Sequence, residues 1–160
     1  MDHPAPLDAN RVWLSMNCLH KGMSAAFARR LREIDLSIPQ GDVLMTLIGR
    51  EGMSQQDLAK NLHVTKGNIS GLIDRLTTAA LVERRSIKSD RRTHAIHLTT
   101  EGRRLAATVI AIQKAFAAQT LGRLTPEQLK QLDALLNVTQ DILLDDETGS
   151  ARETAPLENT

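Results

Sequence analysis

Tyrosine is absent from the 160 residues, and aromatic side chains make up only 2% of them. A core without large rings must be filled by Leu, Ile, Val, Met and Ala, which suits packed helices better than a β-sandwich. The single cysteine, Cys18, excludes an internal disulfide framework and fits a reducing compartment. No apolar run approaches the roughly 20 residues that cross a bilayer. The amino terminus, MDHPAPLDAN, has neither the basic start nor the apolar stretch of an export signal. The expectation is therefore a cytoplasmic protein with no membrane attachment. A Gly-rich phosphate loop is missing, as is any assembled set of nucleophile, base and orienting acid, which argues against an enzyme. No Cys/His pair has metal-ligand spacing, and His94 and His97 fall on opposite faces of one expected strand, so neither a metal nor another cofactor is expected.

What is present is unevenly charged. The net charge is +1. Between Lys60 and Arg104, however, ten basic residues face four acidic ones, and from Thr125 onward two basic residues face eight acidic ones. A basic middle beside an acidic tail points to a polyanionic partner for the middle.

Helix starts punctuate the chain. Asp8 is placed to cap a long first helix with Val12, Met16, Leu19, Met23 and Ala26 along one stripe, flanked by Trp13, His20, Phe27 and Ile34. A stripe this wide needs covering on more than one side, which suggests a helix from a second chain. Ser37-Ile-Pro-Gln40 reads as a capping box for a second helix with Val43, Leu44, Leu47 and Ile48 inward and Gly52 at its end. Ser54 begins a short third helix, and His63-Val64 make a turn. Thr65 caps a fourth helix with Ile69, Leu72, Ile73 and Leu76 inward. Leu81–Arg85 and Thr93–Leu98 alternate as two strands around a basic tip, Ser86 to Arg92. Thr99 or Thr100 caps a fifth helix through Leu105, Val109, Ile112 and Phe116, and Thr125-Pro-Glu-Gln128 opens a sixth through Leu129, Leu132, Leu136 and Leu143. After Asp145 the chain turns acidic and small, and disorder is expected.

Two short helices joined by a tight turn and followed by a basic hairpin make a winged helix-turn-helix, so the fold class is mainly α with a small β-wing. The fourth helix carries Lys66, Gly67, Asn68, Ser70, Gly71 and Arg75 on its outer face. Two exposed glycines weaken a helix by up to about 1 kcal/mol each relative to alanine, a cost accepted where something large approaches the backbone. Asn68 and Ser70 suit base edges in a major groove, while Lys66 and Arg75 suit guanine or phosphate. Ser54 and Thr65 mark helix amino termini whose free N–H groups suit phosphates. Arg91 and Arg92 at the hairpin tip suit the negative potential of a narrow minor groove. With Arg84, Lys88 and Asp90, these complete the candidate contacts to double-stranded DNA.

The chain also resembles the MarR-type transcriptional regulators, closely over about residues 37 to 105 and in layout beyond them. The resemblance is carried by Leu58-Ala59, Val64-Thr65, Asp74-Arg75-Leu76, Leu81-Val82-Glu83-Arg84, Asp90-Arg91-Arg92, and Leu98-Thr99 with Gly102. It implies an interlocked homodimer built from the terminal helices, a minor-groove arginine at Arg92, and a crevice that receives a small-molecule signal. Ala80 stands where many relatives have glycine. The organisation expected is an amino-terminal dimerisation helix over 1–36, a DNA-binding region over 37–99, dimerisation helices over 100–145 and an acidic tail over 146–160.

The signal is less legible than the DNA surface. Trp13, Met16, His20, Met45 and Arg50 are candidates to line a pocket for a small aromatic or amphipathic anion. Cys18 lies in the helix where some relatives sense oxidants, so an oxidant-responsive regulator is an alternative. It lacks the tyrosines that accompany the sensing cysteine there, and a buried or interface thiol is the plainer reading. A second alternative is a winged-helix protein-interaction module. The leading expectation is a homodimeric repressor that binds a pseudo-palindromic operator, with half-sites about 34 Å apart.

Overall fold

The computed structural model of the protein describes residues 8–87 and 90–153, and the side chains of all of these except 87, 90–93 and 146–153. In chain order they form α1 (Ala9–Arg32), α2 (Ile38–Gly49), β1 (Met53–Ser54), α3 (Gln55–Asn61), α4 (Lys66–Thr78), β2 (Val82–Ile87), β3 (Asp90–Leu98), α5 (Thr100–Gln119), a 3-10 turn (Leu121–Arg123) and α6 (Pro126–Glu153). The three strands make one antiparallel sheet in the order β1-β3-β2. It is a winged helix-turn-helix with long helices at both ends.

The helix starts arise from local chemistry. The Asp8 carboxylate accepts from the Arg11 N–H at 2.8 Å. In the Ser37 capping box the Ser37 N–H donates to Gln40 Oε1 at 2.9 Å, and the Gln40 N–H donates back to Ser37 Oγ. Thr125 and Gln128 repeat this arrangement at α6. Thr99, not Thr100, caps α5: its Oγ1 accepts from the Gly102 N–H at 2.9 Å and donates to the carbonyl of Ala80 at 2.7 Å. The start of α5 is thereby fastened to the turn after α4. That contact leaves no room at Gly102, where a Cβ would overlap the Leu81 carbonyl oxygen.

Helix ends are less regular than the sequence suggests. α2 stops at Gly49 with Arg50 as its cap residue, three residues before Gly52. Gly52, at φ +85°, instead turns the chain into β1 and donates its N–H to the Ile96 carbonyl. β1 has only two residues and carries no readable alternation. The left-handed residues closing α1, α3 and α4 are Asp35, His63 and Ala80, none of them glycine. Each is held by the same pair of bonds. After α4, for example, the Ala80 N–H reaches the Thr77 carbonyl and the Leu81 N–H the Leu76 carbonyl, both at 2.9 Å.

Residues up to Phe116 form one compact unit and Ala117 onward a second. The first unit has a continuous core of Leu31, Val43, Leu44, Leu47, Leu58, Ile69, Ile73, Leu76, Ile96, Leu98 and Val109. Ile48, expected inward, is 41% exposed: it shares a flank with buried Gly41 and Leu44 but sits at the carboxyl end of α2, beside exposed Gly49 and Arg50. Among the described residues Thr100–Arg123, which contains α5, is the segment long and apolar enough to span a bilayer by length and composition alone, although Thr and Gln interrupt its apolar runs. Its Gly102, Ala106, Val109 and Phe116 are buried, and most of its other side chains are exposed or half-buried.

The amino-terminal half of α1 leaves Val12, Trp13, Leu14, Met16 and Leu19 exposed. In the second unit, α6 exposes Leu135, Leu136, Val138, Ile142, Leu143 and Leu144. α6 also continues eight residues beyond Asp145, where disorder was expected. The stretch 146–153 contains Gly149, a weak helix former, but no proline, and the helix runs through it. Residues 154–160 of the expected tail lie outside the described residues.

Candidate nucleic-acid interface

The helix-turn-helix is α3, the turn at Leu62–Thr65, and α4. Leu58 and Ala59 anchor α3 in the core, while Ile69, Leu72, Ile73 and Leu76 anchor α4. At 3.6 residues per turn these four positions fix what α4 presents on its other side. Lys66, Gly67, Asn68, Asp74 and Arg75 are exposed there, and Ser70 and Gly71 are half-buried. Asn68 and Arg75 share one flank, Lys66 and Ser70 the other, with Gly67, Gly71 and Asp74 between them. No atom lies within 4 Å of a Cβ placed on Gly67, so the backbone there is open. Gly71 leaves space for Arg75, whose guanidinium folds back to donate from Nε to the Gly71 carbonyl at 3.2 Å.

The two helix starts differ. Thr65 Oγ1 accepts from the Asn68 N–H at 3.3 Å, and the first turn of α4 holds no acidic residue. Ser54 accepts from the Asp57 N–H and donates to Asp57 Oδ2 at 2.7 Å. A carboxylate already occupies the start of α3, so an incoming phosphate is better received at α4.

The wing is longer than the alternation implies. Its strands run to Ile87 and from Asp90, so Asp90, Arg91 and Arg92 belong to β3 and not to the connecting tip. Val82 to Ser86 pair in regular register with Leu98 to His94, but Ile87 then pairs with Asp90. The backbone of Arg91, Arg92 and Thr93 is thus inserted at a bulge, a feature that bends a strand and re-aims its residues. The side chains of Asp90, Arg91 and Arg92, and all of Lys88, lie outside the described residues.

Two clusters have no counterpart in the sequence reading. Arg84, a candidate DNA contact, donates from Nη2 to Asp74 Oδ1 at 2.6 Å and so ties β2 to α4. Glu51, in the turn after α2, accepts from Arg103 of α5 and lies 3.5 Å from Nδ1 of His97 on β3. Sequence separations of ten residues and more, across different elements, carry no periodic signal for either.

The pocket candidates are not gathered. Trp13, Met16 and His20 are exposed on α1, Arg50 is exposed after α2, and Met45 packs against the core. An open depression at the α1–α2 turn is lined by Ala28, Arg32, Asp35, Leu36, Ser37, Ile38 and Pro39, and includes none of the five. Cys18 is exposed on α1. The described residues contain no group of three His, Cys, Asp or Glu able to hold a metal.

A family model described as the MarR family matches residues 34–93. The transcriptional regulator HosA of Escherichia coli is 30% identical over 94 residues, covering 59% of this chain and 70% of HosA. The chain spans 60 to 70% of the length of the first curated relatives it matches. AbsC, a MarR family transcriptional regulator from Streptomyces coelicolor, has a similar structure, with a TM-score of 0.77 at 26% identity over 86% of this chain and 97% of AbsC. MepR of S. aureus, solved as a DNA complex, shares the fold with a TM-score of 0.75 at 24% identity, over 85% of this chain and 98% of MepR.

Proposed function

The chain belongs to the MarR family of transcriptional regulators, and from that premise we propose that it is a cytoplasmic homodimeric repressor of a pseudo-palindromic operator, released by a small molecule. The observation that carries the reading is the outer face of α4, where Lys66, Asn68, Ser70 and Arg75 surround two glycines next to a basic wing. MepR, which has this fold, is seen bound to DNA. Asn68 suits the N6 and N7 edge of adenine, Lys66 and Arg75 suit guanine or phosphate, and the free N–H groups behind Thr65 receive a phosphate. Arg91 and Arg92 enter the adjacent minor groove from the bulged strand.

Apolar faces left open on the terminal helices support the homodimer part of the reading. The exposed apolar residues of α1 and of α6 are suited to an interface with a second copy, and an operator with half-sites about one turn of DNA apart is what a two-fold dimer of such a reader would recognise. The releasing ligand, for which a small aromatic or amphipathic anion is the leading class, must prefer the dimer in its non-binding spacing.

The test is a titration of DNA upstream of the chain's own gene at two salt concentrations, with an unrelated duplex as control. Sequence-selective binding that weakens steeply with salt is expected, and Arg92→Ala should bind less tightly with a shallower slope. Binding indifferent to sequence, or none, would favour a winged-helix protein-interaction module. A thermal-shift screen of aromatic acids and oxidants, followed by DNA release with each hit, identifies the signal.

A further inference from the structure

Asp74 is the one carboxylate on the outer face of α4, and its side chain is 63% exposed. Facing DNA, an isolated carboxylate repels phosphates, and its removal should strengthen binding. Its surroundings point the other way. Arg84 of β2 reaches across to it at 2.6 Å with its own side chain only 30% exposed, making a charge-assisted bond between the recognition helix and the base of the wing. Arg84 stands opposite buried Ile96 in the regular part of the β2–β3 register, before the slip that frees residues 91–93. The pair therefore grips the wing where its pairing is regular, on β2, the strand that faces the bulged β3.

The geometry points to Asp74 as a positioning residue that sets the angle between wing and recognition helix, with Arg84 as its partner and not as a contact to DNA. The inference rests on the reading of α4 and the wing as a DNA-binding surface. A two-groove reader needs both its elements in register on one duplex, and phosphate and groove contacts made by one hold the other in place. Losing the tie leaves α4 in its groove while the wing samples orientations that miss the minor groove.

The experiment uses the full-length protein and a duplex that the wild type selects from a random-sequence pool. Asp74→Ala is expected to bind roughly tenfold more weakly, although it removes a negative charge from the DNA face, and to lose minor-groove protection under the wing while keeping major-groove protection under α4. Asp74→Glu should restore binding, and Asp74→Ala with Arg84→Ala together should bind no more weakly than either alone, as expected for two residues acting as one pair. The thermal midpoint should be unchanged within about 2 °C for so exposed a pair, and Asp74→Asn offers a second variant if the alanine protein folds poorly. Equal or tighter binding by Asp74→Ala or Asp74→Asn, beside a wild type that binds normally, overturns the assignment alone. Loss of discrimination at a single base pair with the wing footprint intact also overturns it, because Asp74 is then a base reader. A wild type that selects no sequence overturns both this and the DNA-binding reading beneath it.

Discussion

Leu47 and Ile142 are similar aliphatic side chains on long helices, yet Leu47 is fully buried and Ile142 is 63% exposed. The contrast extends to their surroundings. Around Leu47, helices from α1 to α5 and two strands of the sheet contribute to one closed core. Along α6 and the first half of α1, apolar residues repeat at helical spacing without cover from the same chain. Each exposed aliphatic side chain of this size forgoes about 1.5–3 kcal/mol that burial supplies. The region around Leu47 thus closes its own core, whereas α6 and the first half of α1 keep open the faces that the proposed homodimer would cover.

The sharpest way to break that contrast is to damage the closed region from within. Gly102→Ala forces a Cβ into the Leu81 carbonyl and should cost about 3 kcal/mol or more in chemical denaturation, because backbone on both sides must shift. Next in size, Leu19→Glu with Leu143→Glu should convert a dimer to monomer by sedimentation while the circular dichroism of the remaining helices persists. A variant that stays dimeric would remove these faces from the interface.

Smaller effects sharpen the account of the closed region. Ala80 occupies the left-handed conformation at φ 55° that glycine adopts freely, so Ala80→Gly should stabilise the protein by about 1 kcal/mol. This is the position where the resemblance to the family departs from glycine, and the turn is unchanged because the backbone bonds to Thr77 and Leu76, with Thr99 bonded to the Ala80 carbonyl, hold it. The smallest effect concerns Asp42, whose carboxyl is pushed above its ordinary range by burial. A raised folded-state value means that the native protein holds its proton more tightly than the unfolded chain does, so stability falls as pH rises through that window. Asp42→Asn should therefore melt slightly higher than wild type at neutral pH, with the difference vanishing below the ordinary carboxylate range.

The parts legible in the sequence were those whose cause is local. Ser37 with Gln40, Thr65 with Asn68, and Thr125 with Gln128 lie within one turn of each other, and residue types alone announce them. The inward face of α4 follows from the same periodicity. The Asp74–Arg84 tie, the Glu51–His97–Arg103 cluster and the two-residue β1 depend on elements that meet only after folding. The pocket candidates are not brought together within the single chain. A wide apolar stripe on α1 is compatible with a cavity, a core or an interface, and its exposure in the single chain argues against the core.

The slip in pairing after Ser86 bears on how such a wing tolerates change in length. Register from Val82 to Ser86 is pinned by buried Val82, Ile96 and Leu98, and a shift there by one residue would turn those side chains outward. Beyond the slip, Ile87 pairs with Asp90 outside that register. A change in length between Ile87 and Thr93 therefore falls outside the stretch whose register the buried side chains fix, and on the proposed reading it would change the reach of the wing.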